Sequence, residues 1–189
     1  MIVAAIVIIW TIPLVSCVAA LLRRRHGESL RLDAATTVIL TGIALVAATL
    51  ATSGTAHGVA VVGATVGTWL AAVAGGGPVV RVVLRAGGVT SGDEDNRGHT
   101  DSPAGADEKT TTSAPLHGGR LIGFLERGAV AGTLLLGWPE GLAIILAVKS
   151  LARYPELRAP HASEQFIIGT FTSVLWASGI SGIGYLILH

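Results

Sequence analysis

Apolar residues run almost unbroken over 2–22, 34–51, 58–74 and 166–188, with no strand-like alternation. Each run approaches or exceeds the roughly 17 to 20 residues that cross a bilayer. In lipid each must be a helix, because only a helix satisfies its own backbone within one segment. The first run stops at Arg23-Arg24-Arg25-His26. Under the positive-inside rule this end is cytoplasmic and the N-terminus external. Pro13 removes a backbone donor from the first span and is expected to kink it. Asp33 is a suitable N-cap for the second span, and the connection 52–57, free of Lys and Arg, reads as an external hairpin.

The third span, 58–74, contains Gly63 and Gly67 four residues apart, a spacing that permits close helix approach. Gly75-Gly76-Gly77-Pro78 then reads as a break, with Pro78 opening a short amphipathic interfacial helix over 79–85 that carries Arg81 and Arg85. Residues 86–118 are rich in Gly, Thr, Ser, Asp and Glu and are expected to form a disordered acidic cytoplasmic loop. The chain thus divides into 1–85, a three-span membrane region with its interfacial helix; 86–118, the loop; and 119–189, a second membrane region with three spans.

This last region admits two topologies. A single span through Gly137-Trp138-Pro139-Glu140-Gly141 gives five spans and puts Glu140 near mid-membrane. A turn there gives a fourth span over 121–136 and a fifth over 139–153. Trp138 suits the interface, Pro139 a first helical position and Glu140 a helix N-terminus, which favours the turn. With six spans all 13 Lys and Arg residues fall at or near the cytoplasmic side. The expected fold is therefore an all-α, polytopic transmembrane helical bundle of six spans, with five as the alternative.

Composition agrees. Of 189 residues, 51% are hydrophobic and 13% charged, with a mean hydropathy of +0.66, whereas soluble domains carry about 25% charged residues. The net charge of +1 gives no support for a nucleic-acid partner. Cys17 is the one cysteine, which excludes an internal disulfide. Leu14-Val15-Ser16-Cys17 looks like a lipobox, but no basic n-region precedes it, so Cys17 reads as a small packing residue in a retained anchor. The six histidines are scattered over loops and ends, and no metal or cofactor is expected.

Charge inside apolar sequence is costly and marks candidate function. Glu126 and Arg127 lie roughly 9 Å into the fourth span. Lys149 lies at a similar depth on the fifth, Arg153 one turn nearer the water, and Glu164 opens the sixth, followed by Thr170 and Ser173. The spacing allows these seven residues to cluster beneath the cytoplasmic surface. Gly169, Ser173, Ala177 and Ser181 form a small-residue stripe on the sixth span, expected to pack against a neighbouring helix. One reading of the cluster is internal pairing, Glu126 with Lys149 or Arg127, with nothing bound. Another is a site for an anionic lipid headgroup or small anionic solute, serving transport or sensing. A structural scaffold with a partner membrane protein or self-association is the alternative. A lipid-modifying enzyme comes third, since no catalytic motif for such chemistry is present.

The segments G-R-L-I-G-F-L-E-R, A-V-K-S-L-A-R and E-Q-F-I-I-G-T-F-T-S-V-L-W-A resemble the C-terminal membrane region of an uncharacterised family of bacterial multi-span proteins, over about 119–177. The resemblance implies bacterial inner-membrane residence and draws attention to Glu126, Arg127, Lys149, Arg153, Glu164 and Thr170. It brings no activity with it.

Overall fold

The computed structural model describes residues 2–26, 30–52, 55–88, 119–152, 154 and 160–189. The acidic segment from residue 89 to 118 and Arg153 lie outside the described residues. Every described element is an α-helix: α1 (Ile2–His26), α2 (Leu30–Ala51), α3 (Val59–Ala86), α4 (Gly119–Leu135), α5 (Glu140–Ala152) and α6 (Pro160–Leu188). Four of them, α1, α2, α3 and α6, are long and apolar enough to cross a membrane. Helix α4 has 17 residues and α5 has 13. At about 1.5 Å per residue they reach only about 25 and 20 Å, against a hydrocarbon core of about 30 Å.

The distribution of side chains is inverted relative to a water-soluble protein. Val38, Leu125 and Leu175 are 72%, 65% and 69% exposed, whereas the interior holds Ala5, Ala47, Ala64, Ala71 and Ala177 together with Ser16, Asp33, Thr68 and Arg127. Lipid tails solvate leucine and valine as well as a protein core does, so close packing of small residues and polar contacts hold such helices together. Cys17 is exposed, so it does not pack between helices as its small size predicted.

Helix α3 lies in the middle, against α1, α2, α4 and α6, while α5, among the described residues, comes close in backbone only to α4. The small stripe of α6 is part of the α3 contact: Ser173, Ala177 and Ser181 are buried, and Gly169 lies close to Leu84 and Val80 of α3. Three tryptophans make close approaches, each laid over glycine on a neighbouring helix. The Trp10 indole covers Gly67, where a Cβ would come within 2.7 Å of Nε1, and its N–H donates to the Gly63 carbonyl at 3.1 Å. The Gly63 and Gly67 pair therefore receives an indole of α1. Trp69 of α3 likewise crosses Gly128 and donates to its carbonyl at 3.0 Å. Trp176 of α6 covers Gly75 and Gly76.

That last contact overturns the expected break. Helix α3 continues through Gly75-Gly76-Gly77 and Pro78 to Ala86, and Arg81 and Arg85 occupy its last two turns instead of a separate interfacial helix. Glycine costs about 1 kcal/mol relative to alanine in a helix interior, but here the missing Cβ atoms admit Trp176 and Arg127, whose packing offsets that cost. Asp33 is not an N-cap either. Helix α2 begins at Leu30, which places Asp33 in its first turn and fully buried. A turn separates α4 from α5: Gly137 adopts φ 71°, and the Trp138 N–H donates to the Thr133 carbonyl at 2.8 Å. A single helix running on through Glu140 is thereby excluded. At the opposite end from Asp33, the Ala56 N–H donates to the Ile187 carbonyl at 2.8 Å, joining the α2–α3 connection to the end of α6.

Candidate functional site

The arginines at the end of α1 and α3 converge on one acid. Asp33, at 0% exposure, has Arg23 Nη1 at 3.3 Å, Arg81 Nε at 3.3 Å and Arg85 Nη1 at 3.5 Å. Arg81 engages both carboxylate oxygens, with Nη2 to Oδ1 at 3.4 Å. The spacing of four puts Arg81 and Arg85 on one face of α3, and the first-turn position of Asp33 suits a negative charge at a helix N-terminus. Among the described residues, one carboxylate thus serves three guanidiniums.

A second charged group lies on α4. Consecutive helical residues point about 100° apart, and Glu126 and Arg127 consequently face different neighbours. Glu126 faces α5, where Lys149 Nζ meets Oε2 at 2.6 Å. Lys149 also lies over the Phe166 ring of α6, 5.4 Å from its centroid. Arg127 turns to α3: its Nε donates to the Val73 carbonyl at 2.9 Å, its stem lies on Gly76, and its guanidinium carbon sits 5.3 Å from the Phe124 centroid. Pro78 in the next turn of α3 has no N–H for the Ala74 carbonyl, which loosens the backbone bonding where Arg127 docks. Arg127 is only 5% exposed. No carboxylate of the described residues lies within ion-pair distance of it.

Both groups border one cavity of about 1050 Å³ among α1, α3, α4, α5 and α6, open to the surface. Among the described residues, four cationic side chains line it, Arg23, Arg81, Arg127 and Lys149, against a single carboxylate, Glu126. Hydroxyls come from Ser16, Thr170 and Ser173. The Ser16 Oγ and Arg23 Nε atoms are buried without a hydrogen-bond partner. Aliphatic side chains of α4 and α5, including Ile122, Leu125, Ile145 and Val148, form the rest of one wall. No group of His, Cys, Asp and Glu among the described residues is arranged to hold a metal.

Five of the seven residues expected to cluster do so: Glu126, Arg127, Lys149, Thr170 and Ser173 all line the cavity. Glu164 is exposed and is not on its wall. It sits on the first turns of α6 with its side chain turned outward, six residues before buried Thr170. Arg23, Arg81 and Ser16 were missed as site residues, as was Asp33 behind them. Asp33 carried the available signal, since an acid at the edge of an apolar run flanked by arginines requires a cationic partner.

Searches with the chain find no matching family model, no similar curated protein and no similar solved structure.

Proposed function

We propose that this is a bacterial inner-membrane protein, with an external N-terminus and six passes, whose cytoplasmic-end cavity binds an anionic lipid headgroup or small anionic solute for transport or sensing. The observation that carries the reading is Arg127. Arginine stays protonated in proteins, and a buried charge without a counter-charge is strongly unfavourable. Arg127 nonetheless sits on a cavity wall with one carbonyl and one ring face as its partners. The neighbouring acid, Glu126, is bonded to Lys149 rather than to Arg127; an anion in the cavity supplies a direct partner, and the planar guanidinium is shaped for phosphate or carboxylate oxygens.

The test is thermal unfolding of the detergent-purified protein titrated at constant ionic strength with sodium phosphate or with dihexanoyl phosphatidylglycerol. Ligands that bind only the folded state raise Tm with concentration. At least one probe should raise it in the native protein, and Arg127→Gln and Lys149→Met, still monodisperse, should lose the shift. Absence of a shift with both probes, or an undiminished shift in both variants, rejects the anion site and favours a scaffold without a ligand.

The topology has its own test. Glu140 opens α5 and is exposed beside the Gly137 turn. In a Cys17→Ser background, Glu140→Cys should react with a membrane-impermeant thiol reagent on intact cells. Protection on intact cells, with labelling only after disruption, would reverse the assigned orientation or bury the turn.

A further inference from the structure

We infer that the occupant of this cavity is an amphiphile, a phosphate-bearing lipid whose headgroup meets Arg81 and Arg127 and whose chain lies along the aliphatic wall of α4 and α5. The inference rests on the anion-site reading above and specifies its ligand. Three observations carry it.

The first is the placement of the cations. Arg127 Nε comes within 2.9 Å of the Cβ position of Gly76, and Arg81 Nη1 within 3.5 Å of that of Gly77, the next residue of α3. The two guanidiniums, one from α4 and one from α3, both line the cavity, and guanidinium donors suit the oxygens of a phosphate. Asp33 engages Arg81 through two long bonds of 3.3 and 3.4 Å, so part of the Arg81 donor capacity is weakly used.

The second is size. A cavity of about 1050 Å³ is far larger than a phosphate group, which displaces only a few waters of about 30 Å³ each. Most of the remaining wall is aliphatic, from Leu84, Ile122, Leu125, Ile144, Ile145 and Val148. A hydrocarbon chain laid along this wall buries its apolar surface, which a phosphate alone does not.

The third is the way in. Helix α5 has 13 residues and, among the described residues, comes close in backbone only to α4, meeting α6 through Lys149 over Phe166. The cavity is open to the surface and bordered by both helices, and in a bilayer an opening on that side would face acyl chains. The charged end meets the headgroup zone, where basic pockets between helices take lipid phosphates.

The experiment is a chain-length series on the detergent-purified protein: glycerol phosphate, dihexanoyl phosphatidylglycerol and dioctanoyl phosphatidylglycerol, with dioctanoyl phosphatidylcholine as the zwitterionic comparison. Affinity should rise with chain length by up to about fourfold per buried methylene. Phosphatidylglycerol should bind at least tenfold more tightly than phosphatidylcholine. Ala129 is exposed on the cavity wall, and Ala129→Trp, which adds bulk to that wall and removes no charge, should reduce the chain-length dependence yet leave glycerol phosphate binding. Arg127→Gln should weaken every anionic probe. Equal affinity for glycerol phosphate and both phosphatidylglycerols would overturn the amphiphile inference and leave the anion site standing. Binding of phosphatidylcholine as tight as phosphatidylglycerol, or of no probe at all, would remove both. Should Ala129→Trp fail to fold, the chain-length series in the native protein decides alone.

Discussion

Asp33→Asn is expected to destabilise the protein by about 3–5 kcal/mol, the usual penalty for removing one partner of a buried ion pair. Asparagine has nearly the same shape, so the change removes charge and little else. The carboxylate is fully buried and is the shared counter-ion of Arg23, Arg81 and Arg85, with contacts of 3.3 to 3.5 Å. Those three residues come from α1 and α3, and Asp33 from α2. One carboxylate consequently ties three helices together at one end, and its loss removes the acid that three guanidiniums share in a partly buried space. The effect should appear as a lower Tm and a smaller monodisperse fraction after detergent extraction. Glu126→Gln is the comparison. Glu126 and Lys149 retain 22% and 20% exposure and join only α4 to α5, so this change should cost far less. A Tm for Asp33→Asn within a degree of the native value would show that the arginine ends are held by something other than this acid.

Gly75→Leu is expected to prevent correct packing of α6 on α3. At Gly75 even a Cβ would overlap the Trp176 ring, with Cε2 at 2.9 Å, and would press on Ile12 Cγ2 at 3.2 Å. Overpacking a close contact costs about 1–3 kcal/mol for added methylenes, and an isobutyl group at a site that rejects a methyl should exceed that range. Gly75→Ala should fall within it. Trp176→Leu should relieve part of the cost, and the double-mutant cycle through Gly75→Ala should return a favourable coupling. Gly179→Ala provides the control on α6, because nothing lies within 4 Å of its Cβ position. That change should be neutral or slightly stabilising, given the helix propensity of alanine. Equal Tm values for Gly75→Leu and Gly179→Ala would show that Trp176 is not seated on α3.

Much of the architecture was legible along the chain. The long apolar runs became the four helices able to cross a membrane, and Gly137-Trp138-Pro139 became a turn because glycine permits its positive φ, with Glu140 opening the next helix. The spacing of Glu126, Arg127 and Lys149 against the apolar pattern located a charged region, and Thr170 and Ser173 lie with them. These are local properties, carried by backbone propensity, hydropathy and helical period within a few residues.

Only the tertiary structure decided what each charge and each glycine does. Arg81 meets Asp33 across 48 residues, Lys149 meets Glu126 across 23, and Arg127 meets Val73 across 54. A helical period says which residues share a face but not which helix that face meets, so Asp33 looked like a cap and Glu164 like a member of the cluster. The glycines of α3 show the same limit most clearly. Three in a row followed by proline read as a break on local propensity, because the stabilising term is absent from the local sequence. It comes from Trp176 and Arg127, about 100 and 50 residues further along the chain, which fill the space that the missing side chains leave.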